Sequence, residues 1–470
     1  MLEDVKLSDF EKEIIRNGQE VEVWARKLFS NGVLVESREE VAVADTEEFL
    51  SAGKKVIFQA SFQTSGLYAM VDILQWDEDG GYWIINEVKA TSAKDKKDKK
   101  HVYDAAFQYI LLKMAGLNVG KVNLVELNKE FRKNGEIDVR ELIEFTDITE
   151  KVKELEEEIN EKIVHMKTLL DEEKEPLPCE CLYKSRGNHC PAFGYLYPDV
   201  PDYSVHDIVR IGSSKKKLEG LVEGGYIAFE DVPEDFKLSP YQRNHVNVTQ
   251  TKGSIIHAKI IKKQLDDLVY PLYFLDYETC PTAVPIYDGC KPYQQVPFQY
   301  SLHVLEAPNV DLEHYEFLYT GELKHPMKAL AESLMKVIGD MGSIIVWNDS
   351  FEGKCHRDIA ELMPEYEDVF LGYNKRFYDL MEIFQKNLYV HHDFKGSYSI
   401  KAVLPVLVPG LTYDNLNIRD GAMAMTAWKT MMFEMEGDAK GGEAIAEDLL
   451  RYCELDTLAM VRIFEVLGKL

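Results

Sequence analysis

The chain of 470 residues is too long for one hydrophobic core, because such cores stop growing at about 250 to 300 residues, so at least two domains are expected. A hydrophobic content of 46% with 11% aromatic residues indicates a globular protein, and a net charge of −27 argues against non-specific coating of nucleic acid through a basic surface. Seven cysteines do not suggest a disulfide scaffold, and without a long apolar run or a leader-like start we expect a cytoplasmic protein with no membrane partner.

A predicted β-hairpin in the first half of the chain carries three candidate site residues. Apolar runs from Leu67 to Leu74 and from Tyr82 to Val88 are joined by a segment containing Asp-Glu-Asp-Gly-Gly, which is typical of a hairpin. Asp72 lies in the first run, while Glu87 and Lys89 lie two residues apart and leave the second strand on one face. Two carboxylates beside an ammonium can hold Mg²⁺ and offset charge that develops on a phosphate. The pattern is also common on strands without a catalytic role, and that interpretation stays open.

This hairpin and the following helical sequence resemble the RecB-like branch of the PD-(D/E)XK nucleases. The resemblance covers about the first 150 residues and implies that Asp72, Glu87 and Lys89 are catalytic, with Gln108 lining the site. Family members often carry Gly-x-x-x-His on the first helix, where the histidine is a metal ligand. Glu22 stands at that position here, so the resemblance implies a carboxylate as the substitute ligand.

Two short basic runs follow along the chain. The first run comprises Lys94, Lys96, Lys97, Lys99 and Lys100, and the second comprises Lys215, Lys216 and Lys217. The first run follows Lys89 closely, so we expect it at the mouth of the hairpin site, where a phosphate backbone would approach. A solvated face without a ligand is the alternative interpretation.

Three cysteines follow the predicted end of the first domain. A charged helix predicted from Glu150 to Glu175 ends at Pro-Leu-Pro, which favours a boundary after residue 176. Cys179, Cys181 and Cys190 lie within twelve positions, and converging thiolates bind soft metal ions. RecB-like nucleases of the CRISPR-associated type hold an iron–sulfur cluster with one cysteine before the nuclease core and three after it, so the resemblance implies such a cluster. No cysteine precedes residue 179, and zinc or no metal at all stay open.

The second half is organised around the sequence Tyr-Phe-Leu-Asp-Tyr-Glu-Thr at residues 273–279. The side chains of Asp276 and Glu278 leave the predicted strand on the same side. Two carboxylates at such a short distance repel each other unless a cation lies between them. Oxygen ligands of this kind suit Mg²⁺ or Mn²⁺. A solvated strand end is the structural alternative.

Two later stretches complete a set of acidic motifs. An apolar strand leads to Asn348 and, four residues later, to Glu352, while an amphipathic helix predicted from Ala444 to Leu467 carries Tyr452 and Asp456 on one face. In order and type, the three motifs resemble the DnaQ-like 3′ to 5′ exonucleases of the DEDD superfamily, in the branch whose third motif is Tyr-x-x-x-Asp.

This second resemblance implies an RNase H-like fold and a divalent-metal site. Asp276, Glu278, Glu352 and Asp456 would be the ligands, and Tyr452 would orient the attacking water. The second motif usually ends in Asp, so Glu352 departs from the family pattern. Asp379, which lies between the second and third motifs, is interpreted as a structural acid.

We therefore expect an α/β protein with three parts. These are a RecB-like PD-(D/E)XK nuclease domain at residues 1–176, a helical connector with the cysteine cluster at 177–268, and a DEDDy exonuclease domain at 269–470. This pairing resembles a bacterial family of two-nuclease proteins, a resemblance also carried by residues 292–303 and 399–405.

The predicted function is metal-dependent hydrolysis of DNA in repair, recombination or defence, with nucleic acid as the partner and DNA favoured over RNA. The predicted cofactors are Mg²⁺ or Mn²⁺, with an iron–sulfur cluster or zinc at the cysteines. Two alternatives stay open: an RNA-trimming exonuclease, and a nucleic-acid-binding scaffold whose nuclease sites have decayed.

Overall fold

The computed structural model describes residues 7–92, 99–171, 179–321, 325–434 and 439–470. The chain forms two compact units: unit 1 contains residues 1–174 and 281–294, and unit 2 contains residues 175–280 and 295–470. Both units combine helices with sheets, so the predicted α/β class is confirmed. Residues 177–268, predicted as a connector, lie within unit 2. Every helix in the described part of the chain is too short or too polar to cross a membrane.

Unit 1 is built on a six-stranded mixed sheet whose strands lie in chain order. The strands are β1 (Val33–Leu34), β2 (Val56–Thr64), β3 (Leu67–Asp77), β4 (Tyr82–Ser92), β5 (Val119–Leu127) and β6 (Ile143–Asp147). Strands β3 and β4 are antiparallel and join through a turn in which Gly81 has a φ of +67°, which confirms the predicted hairpin. Strand β5 runs parallel to β4 and antiparallel to β6.

The helices of unit 1 contribute to two apolar clusters. The helices are α1 (Asp9–Arg26), α2 (Glu39–Ser51), α3 (Lys99–Met114), α4 (Val139–Leu142), α5 (Thr149–Glu154) and α6 (Glu156–Asp171). Helix α3 contributes Ala105 and Leu112 to one cluster, and α1 contributes Val21 and Ala25 to the other. The prediction of a single helix from Glu150 to Glu175 is wrong in its described part, because α5 ends at Glu154 and Leu155, whose amide donates to the Val152 carbonyl at 3.2 Å, separates it from α6. Residues 172–175 of the predicted helix lie outside the described residues.

A segment distant in sequence completes unit 1. Ala283 and Val284 belong to the same buried cluster as Val21 of α1. Lys133 forms an ion pair with Asp288 at 2.6 Å, and the Tyr293 hydroxyl donates to the Ala90 carbonyl at 2.5 Å. Residues 281–294 are therefore an integral part of the fold of unit 1.

Unit 2 contains a five-stranded sheet in the order β10-β9-β8-β11-β12 and a separate antiparallel pair, β7 with β13. The strands are β7 (Ser254–Ile256), β8 (Leu272–Thr279), β9 (Pro297–Leu305), β10 (Glu313–Leu318), β11 (Ser343–Val346), β12 (Phe377–Asp379) and β13 (Tyr389–His391). Strands β8, β9 and β10 form an antiparallel meander, whereas β11 and β12 run parallel to β8. Parallel neighbours end at the same edge of a sheet, so the residues after β8 and β11 can approach each other.

The helices of unit 2 pack around this sheet. They are α7 (Phe193–Leu196), α8 (Lys215–Glu223), α9 (Pro240–Thr251), α10 (Ala258–Asp266), α11 (Pro326–Leu334), α12 (Asp349–Leu362), α13 (Glu367–Asn374), α14 (Glu382–Gln385), α15 (Ile400–Leu407), α16 (Gly421–Lys429) and α17 (Ala439–Leu467). Short 3₁₀ turns span Glu180–Tyr183, Arg186–Asn188, Val205–Asp207, Ile211–Ser213, Phe229–Asp231, Pro364–Tyr366 and His392–Phe394, and a π-helical turn spans Thr430–Glu434.

Helix α17 lies against the central strands of the sheet. Phe464 packs edge-on against Phe274 of β8, and Gln299 of β9 donates to the Leu449 carbonyl at 2.8 Å. The buried apolar side chains that anchor the helix recur at helical spacing, as the sequence predicts. This packing fixes which residues of α17 face the strands that carry Asp276 and Glu278.

Candidate functional site

Three acidic side chains of unit 2 converge where β8 meets α17. Asp276 and Glu278 pair with Ser301 and Gln299 of β9, and their side chains lie on the sheet face that α17 covers. Ligand oxygens of Asp276, Glu278 and Asp456 all lie within 4.8 Å of one another. The strand and helix periodicities therefore bring together the residues that the sequence analysis singled out.

Glu352 joins the same cleft from the first turn of α12, which follows β11. Its side chain is buried, and its Oε2 atom has no hydrogen-bond partner among the described residues. An ionised carboxylate is costly to bury without compensation. Asp379 does not line this cleft and instead accepts backbone N–H groups of Asp349 and Met381, at 3.3 and 3.0 Å.

The cleft has a volume of about 760 Å³ and opens to solvent. Besides the acids, it is lined by residues 207–210, by the aromatic side chains of Trp347, Phe351 and Tyr398, and by Lys401. Its size is in the range of pockets that bury a small ligand or part of a polymer. Part of the predicted connector therefore contributes directly to the cleft wall.

The carboxyl groups of the cleft hold their protons more tightly than carboxyl groups in water. Burial, followed by the negative charge of Asp456, raises the pKa of Asp276 well above its ordinary range. Burial and the charges of Asp276 and Asp456 do the same for Glu278, and burial raises the pKa of Glu352. Burial also raises the pKa of Asp456 to about 6, although hydrogen bonds from Tyr413 and Tyr452 oppose the shift.

Two neighbours of this cluster were missed by the sequence analysis. The Tyr413 hydroxyl donates to Asp456 Oδ1 at 2.5 Å, and the Lys401 ammonium lies 3.5 Å from the Tyr452 hydroxyl. Lys401 falls within residues 399–405, a stretch noted only for its resemblance, whereas nothing in the sequence around Tyr413 points to the site. Tertiary packing alone brings these groups to the acids.

The donor set fits a hard divalent cation. Clustered carboxylate oxygens are the ligands that Mg²⁺ and Mn²⁺ prefer, and such an ion would offset both the burial of these carboxylates and the repulsion that adds to the pKa shifts of Asp276, Glu278 and Glu352. The unpartnered Oε2 of Glu352 is the observation that tests the fit, since a buried carboxylate oxygen lacking a donor is rare in folded proteins.

The candidate site of unit 1 lies between β3, β4 and helices α1 and α3. Asp72 Oδ2 accepts the Val88 amide at 2.8 Å, and Glu87 accepts Gln108 Nε2 at 2.8 Å and Lys89 Nζ at 2.6 Å. A cavity of about 680 Å³ adjoins Asp72, Glu87 and Lys89. The hairpin and α3 thus bring together the four residues predicted for this site.

Glu22 reaches the same cavity from α1. Gln59, which was missed in the sequence, donates to Glu22 and to Asp72 Oδ1, the latter at 3.2 Å. Gln59 has a φ of +57°, an unusual conformation for a residue with a side chain. Such strained residues concentrate at functional sites, and this one links the two carboxylates.

The charges of the unit 1 site are balanced largely by protein cations. Burial and repulsion from Glu87 and Glu22 raise the pKa of Asp72, and burial raises that of Glu87. Burial alone would lower the pKa of Lys89, but its carboxylate partners Glu87 and Asp104 outweigh that effect and raise it. Within the described ranges, Glu22, Asp72 and Glu87 do not form a trio with ligand atoms all within 4.8 Å, and two of them are ion-paired, Glu22 with Arg26 and Glu87 with Lys89.

The two basic runs have separate outcomes. Lys94, Lys96 and Lys97 lie outside the described residues, while Lys99 and Lys100 begin α3 and are exposed. In the second run, Lys215 lies 3.5 Å from Glu219, and Lys217 donates to Gln242 at 3.0 Å, both within unit 2. Lys215 and Lys217 therefore have partners within their own unit.

The three cysteines predicted to bind metal also converge. The sulfur atoms of Cys179, Cys181 and Cys190 lie within 4.8 Å of one another. Cys181 is buried, and its amide donates to Cys179 Sγ at 3.5 Å. Three convergent thiols suit a soft ion such as zinc, whereas a cluster held by four cysteines would need one more ligand.

The comparisons with known proteins give similarity but no activity. A family model described as a domain of unknown function (DUF2779) matches residues 273–399, a stretch that includes Asp276, Glu278 and Glu352. The chain is 24% identical over 433 residues to the uncharacterized protein UU173 of Ureaplasma parvum, which covers 85% of this chain and 58% of the relative.

Two further relatives come from mycoplasmas. The uncharacterized protein MG366 of Mycoplasma genitalium is 24% identical over 230 residues, covering 45% of this chain and 34% of the relative. Its homolog in Mycoplasma pneumoniae is 24% identical over 208 residues, covering 40% and 31%. The matched chain thus corresponds to 58% or less of each relative's length. No solved structure matches the chain.

Proposed function

We propose that this protein is a divalent-metal-dependent nuclease that hydrolyses DNA phosphodiester bonds and removes nucleotides from 3′ ends in the unit 2 cleft. The observation that carries the proposal is the convergence of Asp276, Glu278 and Asp456 within 4.8 Å. The unpartnered oxygen of Glu352 in the same cleft supports it. The five-stranded sheet with three antiparallel and two parallel strands is compatible with the RNase H-like fold that the sequence resemblance implies.

The acids would hold Mg²⁺ or Mn²⁺, with Asp276, Glu278, Glu352 and Asp456 as ligands. When bound, such an ion polarises a phosphate and acidifies a water molecule. Carboxylates can act as ligands only when deprotonated, so metal binding has to displace the protons that burial favours.

The neighbouring side chains have roles that follow from their contacts. Burial and the charges of the acids raise the pKa of Tyr452, so its hydroxyl stays protonated and can donate a hydrogen bond to a water or phosphate oxygen. Lys401 supplies positive charge next to that hydroxyl, where negative charge develops during hydrolysis. Tyr413 holds Asp456 in one orientation through its short hydrogen bond.

The unit 1 cavity would be a second hydrolytic site. Asp72 and Glu87, with Glu22, would hold the ion, and Lys89 would offset charge on the phosphate. Gln108 orients Glu87 by its 2.8 Å hydrogen bond. The cysteine group would bind zinc or an iron–sulfur cluster, a proposal that rests on the three converging sulfur atoms.

The proposal is tested with substrates labelled at the 5′ end, so that shortening reports loss from the 3′ end. Single-stranded DNA, duplex DNA and RNA are incubated with the full chain, with Mn²⁺ or with a chelator. We expect metal-dependent 3′ shortening of DNA, and a decrease of at least about a hundredfold in Asp276→Asn, because a ligand contributes more than an outer contact worth about 10- to 100-fold.

Asp267→Asn is the matched control, since Asp267 is an exposed acid of the same unit that lies outside the cleft. It should trim DNA at the parent rate. Undiminished trimming by Asp276→Asn would contradict the assignment of the cleft, and faster trimming of RNA than of DNA would favour the RNA alternative. Binding of DNA without any cleavage would favour the scaffold alternative.

A further inference from the structure

A second cluster of ligand-type side chains lies on the same sheet face of unit 2, on β9, which is paired with β8, and on the edge strand β10. His303 of β9 and His314 of β10 are directly paired across the strands, and their rings stack with centroids 4.4 Å apart. Glu454 of α17 places Oε1 4.0 Å from Nδ1 of His314. One ligand atom from each of the three residues lies within 4.8 Å of the other two.

A chain of hydrogen bonds connects the two histidines to hydroxyl groups of β9 and α17. His303 Nδ1 lies 2.8 Å from Thr457 Oγ1, and His314 Nε2 lies 2.9 Å from Ser301 Oγ. The two hydroxyl oxygens are 2.7 Å apart, and Thr457 Oγ1 donates to the Glu454 carbonyl at 3.1 Å.

These contacts have one consistent arrangement of protons. Because the single Thr457 proton goes to the Glu454 carbonyl, Thr457 Oγ1 must accept from both Ser301 and His303. Ser301 then has only a lone pair to offer His314, so His314 carries its proton on Nε2. The nitrogens left with lone pairs are Nε2 of His303 and Nδ1 of His314, and the latter faces the Glu454 carboxylate.

We infer that His303, His314 and Glu454 form a binding site for a transition-metal ion of the zinc type, separate from the carboxylate cluster of Asp276. Two imidazoles and one carboxylate are a ligand set that zinc accepts with a fourth position open. Metal-binding histidines almost always donate their other ring N–H to an outer partner, and here Thr457 and Ser301 are those partners.

The burial and dimensions of the site agree with this assignment. His303 is buried, and the contact of its Nδ1 with Thr457 Oγ1 at 2.8 Å leaves Nε2 as its ligand atom. Glu454 is half-exposed, which leaves a path for an ion. Tetrahedral bonds of about 2.1 Å set ligand atoms about 3.4 Å apart, so the 4.0 Å separation needs only a small contraction. Burial and the positive charge of Arg462 lower the pKa of His303, and Arg462 forms an ion pair with Glu465 at 2.8 Å.

An ion at this site would join the edge strand β10 to α17. Glu454, the ligand that α17 would contribute, lies two positions from both Asp456 and Tyr452 on that helix. We therefore expect the ion to stabilise the packing of α17 on the sheet, and so to raise the thermal unfolding temperature of the protein.

The test measures zinc bound to the full-length protein after removal of metals by a chelator. The protein is then dialysed against Zn²⁺ with excess Mg²⁺, so that Mg²⁺ occupies the carboxylate cluster of Asp276. The difference in bound zinc between the parent and each variant then reports on the histidine site alone. We expect His314→Gln to bind one zinc ion fewer than the parent and to lose the rise in unfolding temperature on zinc addition. Glu454→Gln, a change at a half-exposed side chain, should lower the affinity for this zinc ion at least about tenfold, and Thr457→Val should lower it about tenfold.

His165→Gln and Glu447→Gln are the matched controls, because both residues are exposed on helices and neither belongs to the cluster. Both should bind zinc as the parent does. Equal zinc content and affinity in the parent, His314→Gln and Glu454→Gln would overturn the inference, as would an equal loss in the controls. Neither result depends on nuclease activity.

Discussion

Four acidic residues of the unit 2 cleft, Asp276, Glu278, Glu352 and Asp456, have raised pKa values with burial as the first cause. Such groups are protonated more readily in the folded protein than in the unfolded chain. Between the ordinary pKa of 3.8 and the folded value of about 6, folded Asp456 therefore binds more protons than unfolded Asp456. Stability falls as pH rises through that window, because the proton favours the folded state.

We expect the metal-free protein to unfold at a lower temperature at pH 8 than at pH 5. For Asp456 alone, a pKa difference of about two units corresponds to about 3 kcal/mol over the whole window, and roughly half of it is lost between pH 5 and pH 8. Asp456→Asn removes the charge and should raise the unfolding temperature at pH 8 in a chelator. Thermal unfolding of parent and variant, followed by circular dichroism at both pH values, measures the effect.

Addition of Mg²⁺ supplies the second half of this test. The ion should stabilise the parent at pH 8, where the carboxylates are ionised, and stabilise Asp456→Asn less. The control Asp267→Asn should behave like the parent, since Asp267 is exposed. A parent whose stability in chelator rises from pH 5 to pH 8, with no gain in Asp456→Asn, would contradict the electrostatic account.

At the residue scale, the sequence could group side chains that lie on one face of the same strand or helix. Asp276 and Glu278 share a strand face, and Tyr452 and Asp456 share a helix face, so local geometry pairs them within each element, whereas the meeting of the two pairs depends on the packing of α17 against the sheet. Tyr413 and Gln59 meet their partners across large sequence separations, through hydrogen bonds that no local pattern encodes.

At the scale of elements, the start of β11 depends on a close approach to the start of β8. Gly342 has a φ of +98°, and a Cβ atom there would lie 2.2 Å from the Pro271 carbonyl oxygen. The Ser343 amide next to it donates to the Val269 carbonyl at 2.7 Å. The parallel pairing of β8 with β11, which brings Glu352 towards Asp276, begins at this contact.

We expect Gly342→Ala to destabilise unit 2 by at least about 2 kcal/mol, because the methyl group clashes with backbone and the φ value disfavours a side chain. Urea unfolding, with comparison of the transition midpoints, measures the change.

Gly372→Ala is the control for this substitution. Gly372 lies within α13, and a Cβ atom added there would have no heavy atom within 4 Å outside the backbone of its own helix and its chain neighbours. Alanine there should be neutral or stabilising by up to about 1 kcal/mol. Equal midpoints for Gly342→Ala and the parent would show that the strand junction tolerates a side chain.

Periodicity located most of the long helix α17, and turn residues located the hairpin of β3 and β4. It did not predict the break between α5 and α6, because Leu155 continues the apolar pattern through the interruption. Strand order was also beyond the sequence, since the placement of β11 beside β8 depends on contacts between residues about 70 positions apart.

At the scale of the whole molecule, two candidate sites of different chemistry occupy the two units. The unit 1 site has an ammonium, Lys89, beside its carboxylates, whereas the unit 2 site has a phenol, Tyr452. Sites that share no residues should lose function independently.

We expect Lys89→Ala to lose a cleavage activity that Asp276→Asn retains. The products that each variant still forms identify the site that remains active in it. The measurement is digestion of linear and circular DNA, since circular DNA offers no 3′ end to an exonuclease. Lys55→Ala is a control, because Lys55 is an exposed lysine of unit 1 outside the cavity. Complete loss of all cleavage in Asp276→Asn alone would mean that unit 1 does not cut DNA.

The division of the chain was only partly predictable. The boundary predicted after residue 176 falls outside the described residues, two positions from the limit of unit 1 at Lys174. The inclusion of residues 281–294 in unit 1 was not predicted, because Pro281, Pro285 and Pro292 indicate a loop after β8 but do not indicate what that loop packs against.

That inclusion bears on how the protein is made. A ribosome synthesises a chain from its N-terminal towards its C-terminal end, so the buried cluster of Val21 and Ala25 remains without Ala283 and Val284 until roughly 260 further residues have been translated. Domains usually fold in the order in which they emerge. Here the first unit to emerge reaches its complete core only after β8 of the second has been synthesised, so the maturation of the nascent chain is interleaved rather than sequential.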